Sequence, residues 1–223
     1  MMKQDYSHIS FVLDRSGSMA SRIAATISGF NEFLNSQKVV PGKATFSLYQ
    51  FDDQYEINYE FKSIQDVVEL SEETYMPRGM TRLYDAIGKT IVSMGEQLSK
   101  LNEDDRPEKV FLVIQSDGQE NDSREYKFDR ITEMINHQKD VYQWTIIFLG
   151  CELGAVEDIK SRGVSLNNVC FYSNTDAGVK SAYQTLGCAM ASSRSMPTEL
   201  YDHTNFYKDD KTEDDPTVGA QKK

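Results

Sequence analysis

Three short segments of this 223-residue sequence place oxygen-bearing side chains where a regular pattern stops or starts. Asp14-Arg15-Ser16-Gly17-Ser18-Met19 follows one apolar run, and Gln115-Ser116-Asp117-Gly118 follows another. Arg78-Gly79-Met80-Thr81 stands directly before a helical pattern. In Asp14-x-Ser16-x-Ser18 the alternate residues can turn their oxygens to one point, with Gly17 relaxing the backbone between them. Carboxylates and hydroxyls suit a hard divalent cation such as Mg²⁺. No His or Cys stands in these segments, which argues against zinc. Taken singly, Ser16, Ser18 and Thr81 are better explained as helix caps, and Asp117 as a turn former. Their joint placement in three loops is what favours a cation.

The elements around these loops are legible from periodicity. His8–Leu13 is short and apolar, as expected of a buried central strand. Ile23, Ile27, Phe30 and Leu34 form a helical stripe, closed by Pro41-Gly42. Ala44–Phe51 and Tyr55–Phe61 alternate with period two across the short Asp52-Asp53-Gln54 link, which predicts a hairpin with one antiparallel edge strand. Leu83, Ile87, Ile91, Met94 and Leu98 mark a second helix, and Lys109–Ile114 a second buried strand. A helix carrying Ile131, Met134 and Ile135 follows, then a strand at Trp144–Leu149 and a short helix with Val156 and Ile159 before Gly163. A short strand at Val169–Tyr172 precedes a helix with Val179, Tyr183, Leu186 and Met190. Alternating strands and helices predict a Rossmann-like α/β fold: a mainly parallel sheet of about six strands with helices on both faces. In such sheets ligands bind beyond the strand ends, where the three loops stand. Periodicity ends near residue 194, so the expectation is one domain over 1–194 and a flexible acidic tail over 195–223.

Composition narrows the function. Hydrophobic residues make up 39% of the chain, enough for a sizeable core rather than disorder. A net charge of -11 disfavours nucleic acid and anionic lipid. No apolar run approaches the roughly 18 residues of a membrane span. The three cysteines, Cys151, Cys170 and Cys188, lack metal-ligand spacing and read as free thiols, consistent with a cytoplasmic protein.

The three loops together resemble the metal-ion-dependent adhesion site of von Willebrand factor A domains. Asp14-x-Ser16-x-Ser18, then Thr81, then Asp117 match that site in order, spacing and strand context, although Met80 stands where Gly is common and Ser116 where Thr is usual. The resemblance extends over roughly Ser7 to Ser193 and is closest to compact bacterial and bacteriophage members, including those associated with tellurite resistance. It implies that Ser16, Ser18 and Thr81 coordinate Mg²⁺ directly, with Mn²⁺ or Ca²⁺ as substitutes. Asp14 and Asp117 would act largely through bound water, and an Asp or Glu carboxylate from a protein partner would complete the octahedron. Arg15, Met80, Glu120 and Asn121 flank these positions and are the candidate partner-contacting residues.

Two other functions compete. An assembly role in a phage particle or bacterial multiprotein system needs no metal-dependent affinity. A Mg²⁺ phosphatase of the haloacid dehalogenase type needs a second Asp two residues after the first, and position 16 is Ser. A serine hydrolase needs a base for Ser16 or Ser18, and His8 and His137 are not obviously placed to serve. The expectation is a non-enzymatic binding module.

Overall fold

The computed structural model describes residues 5–117, 120–150 and 166–207. Six strands form one sheet: β1 (Tyr6–Asp14), β2 (Lys43–Phe51), β3 (Tyr55–Ser63), β4 (Lys109–Ser116), β5 (Thr145–Gly150) and β6 (Val169–Phe171). Their spatial order is β3-β2-β1-β4-β5-β6. All neighbours are parallel except β2 and β3, which pair antiparallel as the hairpin pattern predicts. Among the described residues four α-helices flank the sheet: α1 (Ile23–Lys38), α2 (Leu83–Ser99), α3 (Phe128–Tyr142) and α4 (Asp176–Ser195). This is the expected Rossmann-like α/β fold.

Each face of the sheet has its own core. Ile9, Phe11 and Leu13 of β1 point to α1 and α4, where they meet Phe30, Phe33, Leu34, Tyr183, Leu186 and Met190. Val12 points to the opposite face with Leu112 and Ile114, against Ile87, Ile91 and Met94 of α2 and Ile131 and Ile135 of α3. That split follows from strand geometry, in which successive side chains alternate between faces. It also explains why β1 and β4, covered on both sides, read as continuous apolar runs.

The chain leaves β1 to pair with β2 on one side, and β4 pairs with β1 on the other. Their following loops therefore diverge at the carboxyl ends of β1 and β4, the position at which open α/β sheets bind ligands. Asp14 ends β1, and Ser116 ends β4.

The packed chain continues past the predicted boundary at residue 194. Tyr201 shares a 2.6 Å hydrogen bond with Thr145 through their hydroxyls, while Phe206 and Tyr207 are buried in the α1–α4 face. Asn168 holds the segment from both sides, accepting from the Phe206 N–H at 2.9 Å and donating to the His203 carbonyl at 2.8 Å. Three aromatic residues without regular spacing give no periodic signal, yet they cover β4 and β5. The remainder of the predicted tail, 208–223, lies outside the described residues, as do Cys151 and the predicted helix carrying Val156 and Ile159.

Candidate metal centre

The loop after β1 curls over its own aspartate. The Ser16 N–H donates to Asp14 Oδ1 at 2.7 Å, and the Ser16 and Ser18 hydroxyls lie 3.0 Å apart. Ser18 Oγ then donates to Asp117 Oδ1 at 2.6 Å, and Ser116 Oγ donates to Asp14 Oδ2. Asp14, Ser16, Ser18 and Asp117 thus form one connected oxygen cluster spanning the ends of β1 and β4. Gly17 does not use a left-handed conformation. Its N–H instead donates to the Gly79 carbonyl at 3.2 Å, and a Cβ there would stand 3.4 Å from that oxygen.

Burial dominates the electrostatics. Asp14 is fully buried and its carboxyl is pushed up to about 6 by desolvation, with the Asp117 charge adding to the rise and the Ser116 and Ser16 hydrogen bonds opposing it. The two acidic groups, Asp14 and Asp117, are buried beside the buried Ser16 hydroxyl and the exposed Ser18 hydroxyl. A divalent cation would compensate them, so the donor chemistry fits a hard cation with oxygen preference. Among the described residues no cluster of three or more His, Cys, Asp or Glu offers a cage of another kind.

Thr81 enters on a separate loop that is fastened to the first by backbone. Arg78 N donates to Arg15 O at 2.8 Å, beside the Gly17–Gly79 pair. Gly79 adopts φ +67, and a Cβ there would lie 2.5 Å from Asp53 Oδ1, so only glycine fits. Thr81 is held from the far side by Asn121, whose Oδ1 accepts the Thr81 N–H at 2.9 Å and whose own N–H donates to Thr81 O at 3.1 Å. Capping does not account for the hydroxyls. Neither the turn after Ser16 nor α2 receives a side-chain cap from its preceding residue, whereas Thr175 caps α4 by accepting the Gly178 N–H at 3.0 Å.

The N-terminus of α2 is instead satisfied by the segment after β4. Glu120 accepts the N–H groups of Tyr84, Asp122 and Ser123 at 3.0, 2.9 and 2.6 Å. In return, Asp85 accepts those of Arg124, Glu125 and Tyr126 at 2.9, 2.9 and 2.8 Å. Arg82 pairs with Asp122 at 2.7 Å. This reciprocal clasp joins the loop of Thr81 to the loop of Asp117.

The predicted partner-contacting residues therefore separate. Met80 is half exposed and Asn121 is exposed. Glu120 is not an open contact, because its carboxylate is engaged within the clasp. Arg15 is buried, with Nε on Asp52 at 3.0 Å and Nη1 on Glu56 at 2.6 Å. Its charge is drawn into the β2–β3 hairpin because the buried Asp52 carboxylate needs a counter-charge.

A family model for the von Willebrand factor type A domain matches residues 8–186. The chain belongs to that family. No curated protein matches the sequence. Solved structures similar to this A domain include the vWF domain of the type V pili tip protein Mfa5 from Porphyromonas gingivalis, at 10% identity and TM-score 0.62, covering 86% of this chain and 97% of that one. Proximal thread matrix protein 1 from the mussel byssus, with a zinc-occupied MIDAS motif, matches at 14% identity and TM-score 0.58, covering 83% of this chain and 46% of that one. Manganese-loaded Plasmodium vivax TRAP protein matches at 14% identity and TM-score 0.53, covering 80% of this chain and 72% of that one. The A domain thus spans about half the length of the mussel protein. At these identities the likeness is one of fold.

Sequence reasoning missed two parts of the A domain's site. Asp52 was expected only to turn the hairpin, and it does accept the Gln54 N–H at 2.6 Å. It also joins Arg15 to Arg78, whose Nε lies 2.9 Å from Asp52 Oδ2, and so ties the first loop to the Thr81 loop. Burial pushes its carboxyl up, but the Arg78 hydrogen bond, the Gln54 N–H and the Arg15 charge outweigh this and hold it below its usual range. The second omission is Asp85, in the first turn of the amphipathic helix α2. Its apolar neighbours Ala86 and Ile87 gave one signal: an acid buried among core residues must have partners.

Proposed function

We propose that this A domain is a Mg²⁺-dependent protein-binding module that captures an Asp or Glu carboxylate of its partner. The observation that carries the reading is the oxygen cluster of Asp14, Ser16, Ser18 and Asp117 at the diverging ends of β1 and β4, with Thr81 fastened beside it. Ser16, Ser18 and Thr81 would offer neutral hydroxyl oxygens, and Asp14 and Asp117 the negative charge. Bound Mg²⁺ would supply Lewis-acidic attraction for a carboxylate oxygen. The chain's own residues hold the donors in place through Asp52 and the Asp85–Glu120 clasp, and present Met80 at the surface. Zinc and manganese in two structural neighbours support divalent-metal use in the family. The free, exposed Cys188 thiol agrees with a cytoplasmic setting.

The placement of His8 weighs against hydrolysis. It lies six residues before Asp14 on β1, roughly 20 Å away at about 3.3 Å per residue, and so is out of reach of Ser16 as a base. We therefore read the module as non-enzymatic. Partner capture from extract in Mg²⁺ and in EDTA tests the function, with Asp14→Ala as control. Capture lost both in EDTA and in the variant is the expected result. Capture indifferent to both would replace this reading with a metal-independent assembly role.

A further inference from the structure

The last described residue, Tyr207, is a fixed point. It is buried, its N–H donates to the Asn167 carbonyl at 2.9 Å, and Asn168 holds the neighbouring Phe206 N–H. Asn167 precedes Val169 by two residues, and Val169 pairs with Phe148. Gly150, two residues further along β5, pairs with Ser116 at the end of β4. Tyr207 therefore lies about four residues below that end, roughly 13 Å at about 3.3 Å per residue. Two strand spacings of about 4.8 Å separate β6 from β4, and the oxygen cluster bridges the ends of β4 and β1. The path from Tyr207 to the cluster is then roughly 20–25 Å over the surface. It runs by Asn174, whose side chain and carbonyl both accept from Arg22, a partly exposed cation in the same turn, Gly17–Arg22, as Ser18.

Residues 208–223 carry the acids Asp209, Asp210, Glu213, Asp214 and Asp215. An extended chain spans at most about 3.3–3.6 Å per residue, so Asp209 and Asp210 stop within about 11 Å of Tyr207, while Glu213, Asp214 and Asp215 reach about 20–29 Å. Those three are consecutive, and no Lys or Arg stands between 212 and 221. The centre has use for such a group. Mg²⁺ prefers six oxygen ligands, and the proposed donors are the five side chains of Asp14, Ser16, Ser18, Thr81 and Asp117. Four neighbouring acids are committed elsewhere: Asp52 to Arg15 and Arg78, Asp122 to Arg82, and Asp85 and Glu120 to the clasp.

We propose that the Glu213-Asp214-Asp215 run supplies a carboxylate to the metal centre of its own chain, in cis, and that a partner must displace it. The assignment rests on the proposed metal-dependent function and names the first ligand of that site. Tethering over so short a link gives an effective concentration of about millimolar. A tether that occupies the centre about two-thirds of the time lowers the apparent affinity of an outside carboxylate about threefold. Isolated carboxylates are thereby excluded, and a partner needs contacts beyond the metal, for which the exposed Met80 stands beside Thr81.

Two measurements on the full chain test it, with Mn²⁺ as both ligand and paramagnetic probe. In the first, ¹⁵N spectra are recorded at substoichiometric Mn²⁺. Broadening strongest at residues 213–215, relieved by excess acetate, is expected. The same broadening in Asp14→Ala and Thr81→Val would mean that the acidic run binds Mn²⁺ by itself, and overturns the tether. Broadening that grows with protein concentration assigns the carboxylate to a second copy and overturns it equally. In the second, acetate affinity for the Mn²⁺-loaded protein is read from relaxation of the acetate methyl protons. The triple variant Glu213→Gln/Asp214→Asn/Asp215→Asn should bind acetate about threefold more tightly than the parent. Asp209→Asn/Asp210→Asn, whose acids stand too near Tyr207 to reach the centre, should match the parent. Equal affinity in the triple variant and the parent, or an equal gain in both variants, overturns the tether, the latter being a change of charge alone. Mn²⁺ binding that depends on Asp14 without any effect of residues 213–215 removes the tether and keeps the metal reading. Absence of Mn²⁺ binding removes both.

Discussion

At the residue scale, the cluster separates residues that would donate to a cation from residues that only shape the loops. Thr81 is 3% exposed and its backbone is pinned through Asn121, so replacing its side chain leaves the fastening intact. Thr81→Val and Ser16→Ala are expected to lower Mn²⁺ affinity at least tenfold by calorimetry, with melting temperature nearly unchanged. Gly79 should show the opposite pattern. Its left-handed backbone and its contact with Asp53 leave no room for a methyl group, so Gly79→Ala should destabilise the fold by about 1–3 kcal/mol in urea unfolding. If Gly79→Ala were as stable as the parent, the loop could relax and its geometry would not be what fixes Thr81.

At the element scale, the clasp between α2 and the 120–126 segment makes two loops move as one. Asp85 touches none of the proposed donors. It is nevertheless nearly fully buried and accepts three backbone N–H groups. Removing the carboxylate orphans them, at a cost of about 2–4 kcal/mol. Asp85→Ala should also weaken Mn²⁺ binding, because the loop of Thr81 and the segment after Asp117 lose their common anchor. Asp85→Asn keeps one acceptor oxygen and should recover part of both losses. A variant that melts earlier yet binds Mn²⁺ as tightly as the parent would show that the clasp serves stability alone.

At the scale of the whole molecule, stability should depend on a histidine far from the site. His8 is fully buried on β1, stacked on Phe61 with ring centroids 3.8 Å apart. Its Nδ1 lies 2.9 Å from Thr45 Oγ1 and its Nε2 3.3 Å from Ser47 Oγ. Ser47 Oγ already accepts the Phe61 N–H at 3.0 Å, so its own proton is free to go to Nε2, and the neutral Nδ1–H tautomer satisfies the network. Desolvation lowers the imidazole pKa from 6.5 to about 3. The unfolded chain therefore binds the proton first. The contribution is fully present above pH 6.5 and is lost as pH falls from there towards 3, by at most about 4–5 kcal/mol. Urea titrations between pH 7.5 and 4.5 should show the parent losing its stability advantage over His8→Leu as pH falls. A constant difference between the two would mean that His8 is already solvated in the folded state.

The six strands, the hairpin and the helical stripes were legible in the sequence because each is a local periodicity of apolar residues, written by a sheet buried on both faces. The gathering of Asp14, Ser16, Ser18 and Asp117 was legible because their loops leave the carboxyl ends of two such strands, β1 and β4, which lie side by side in the sheet. Other features had no local signature. Asp52 reads as a turn residue and Asp85 as a polar position on a helix, and only folding brings Arg15, Arg78 and the 120–126 segment to them. Lys109 reads as a strand-flanking charge, yet its ammonium is buried and donates to the carbonyls of Ser193 and Arg194 at the end of α4. Arg15 looked available to a partner, and Phe206 and Tyr207 looked like part of a tail. In each case the deciding partner lies tens of residues away, so the charge or aromatic surface is exposed or buried according to tertiary packing, which no local pattern encodes.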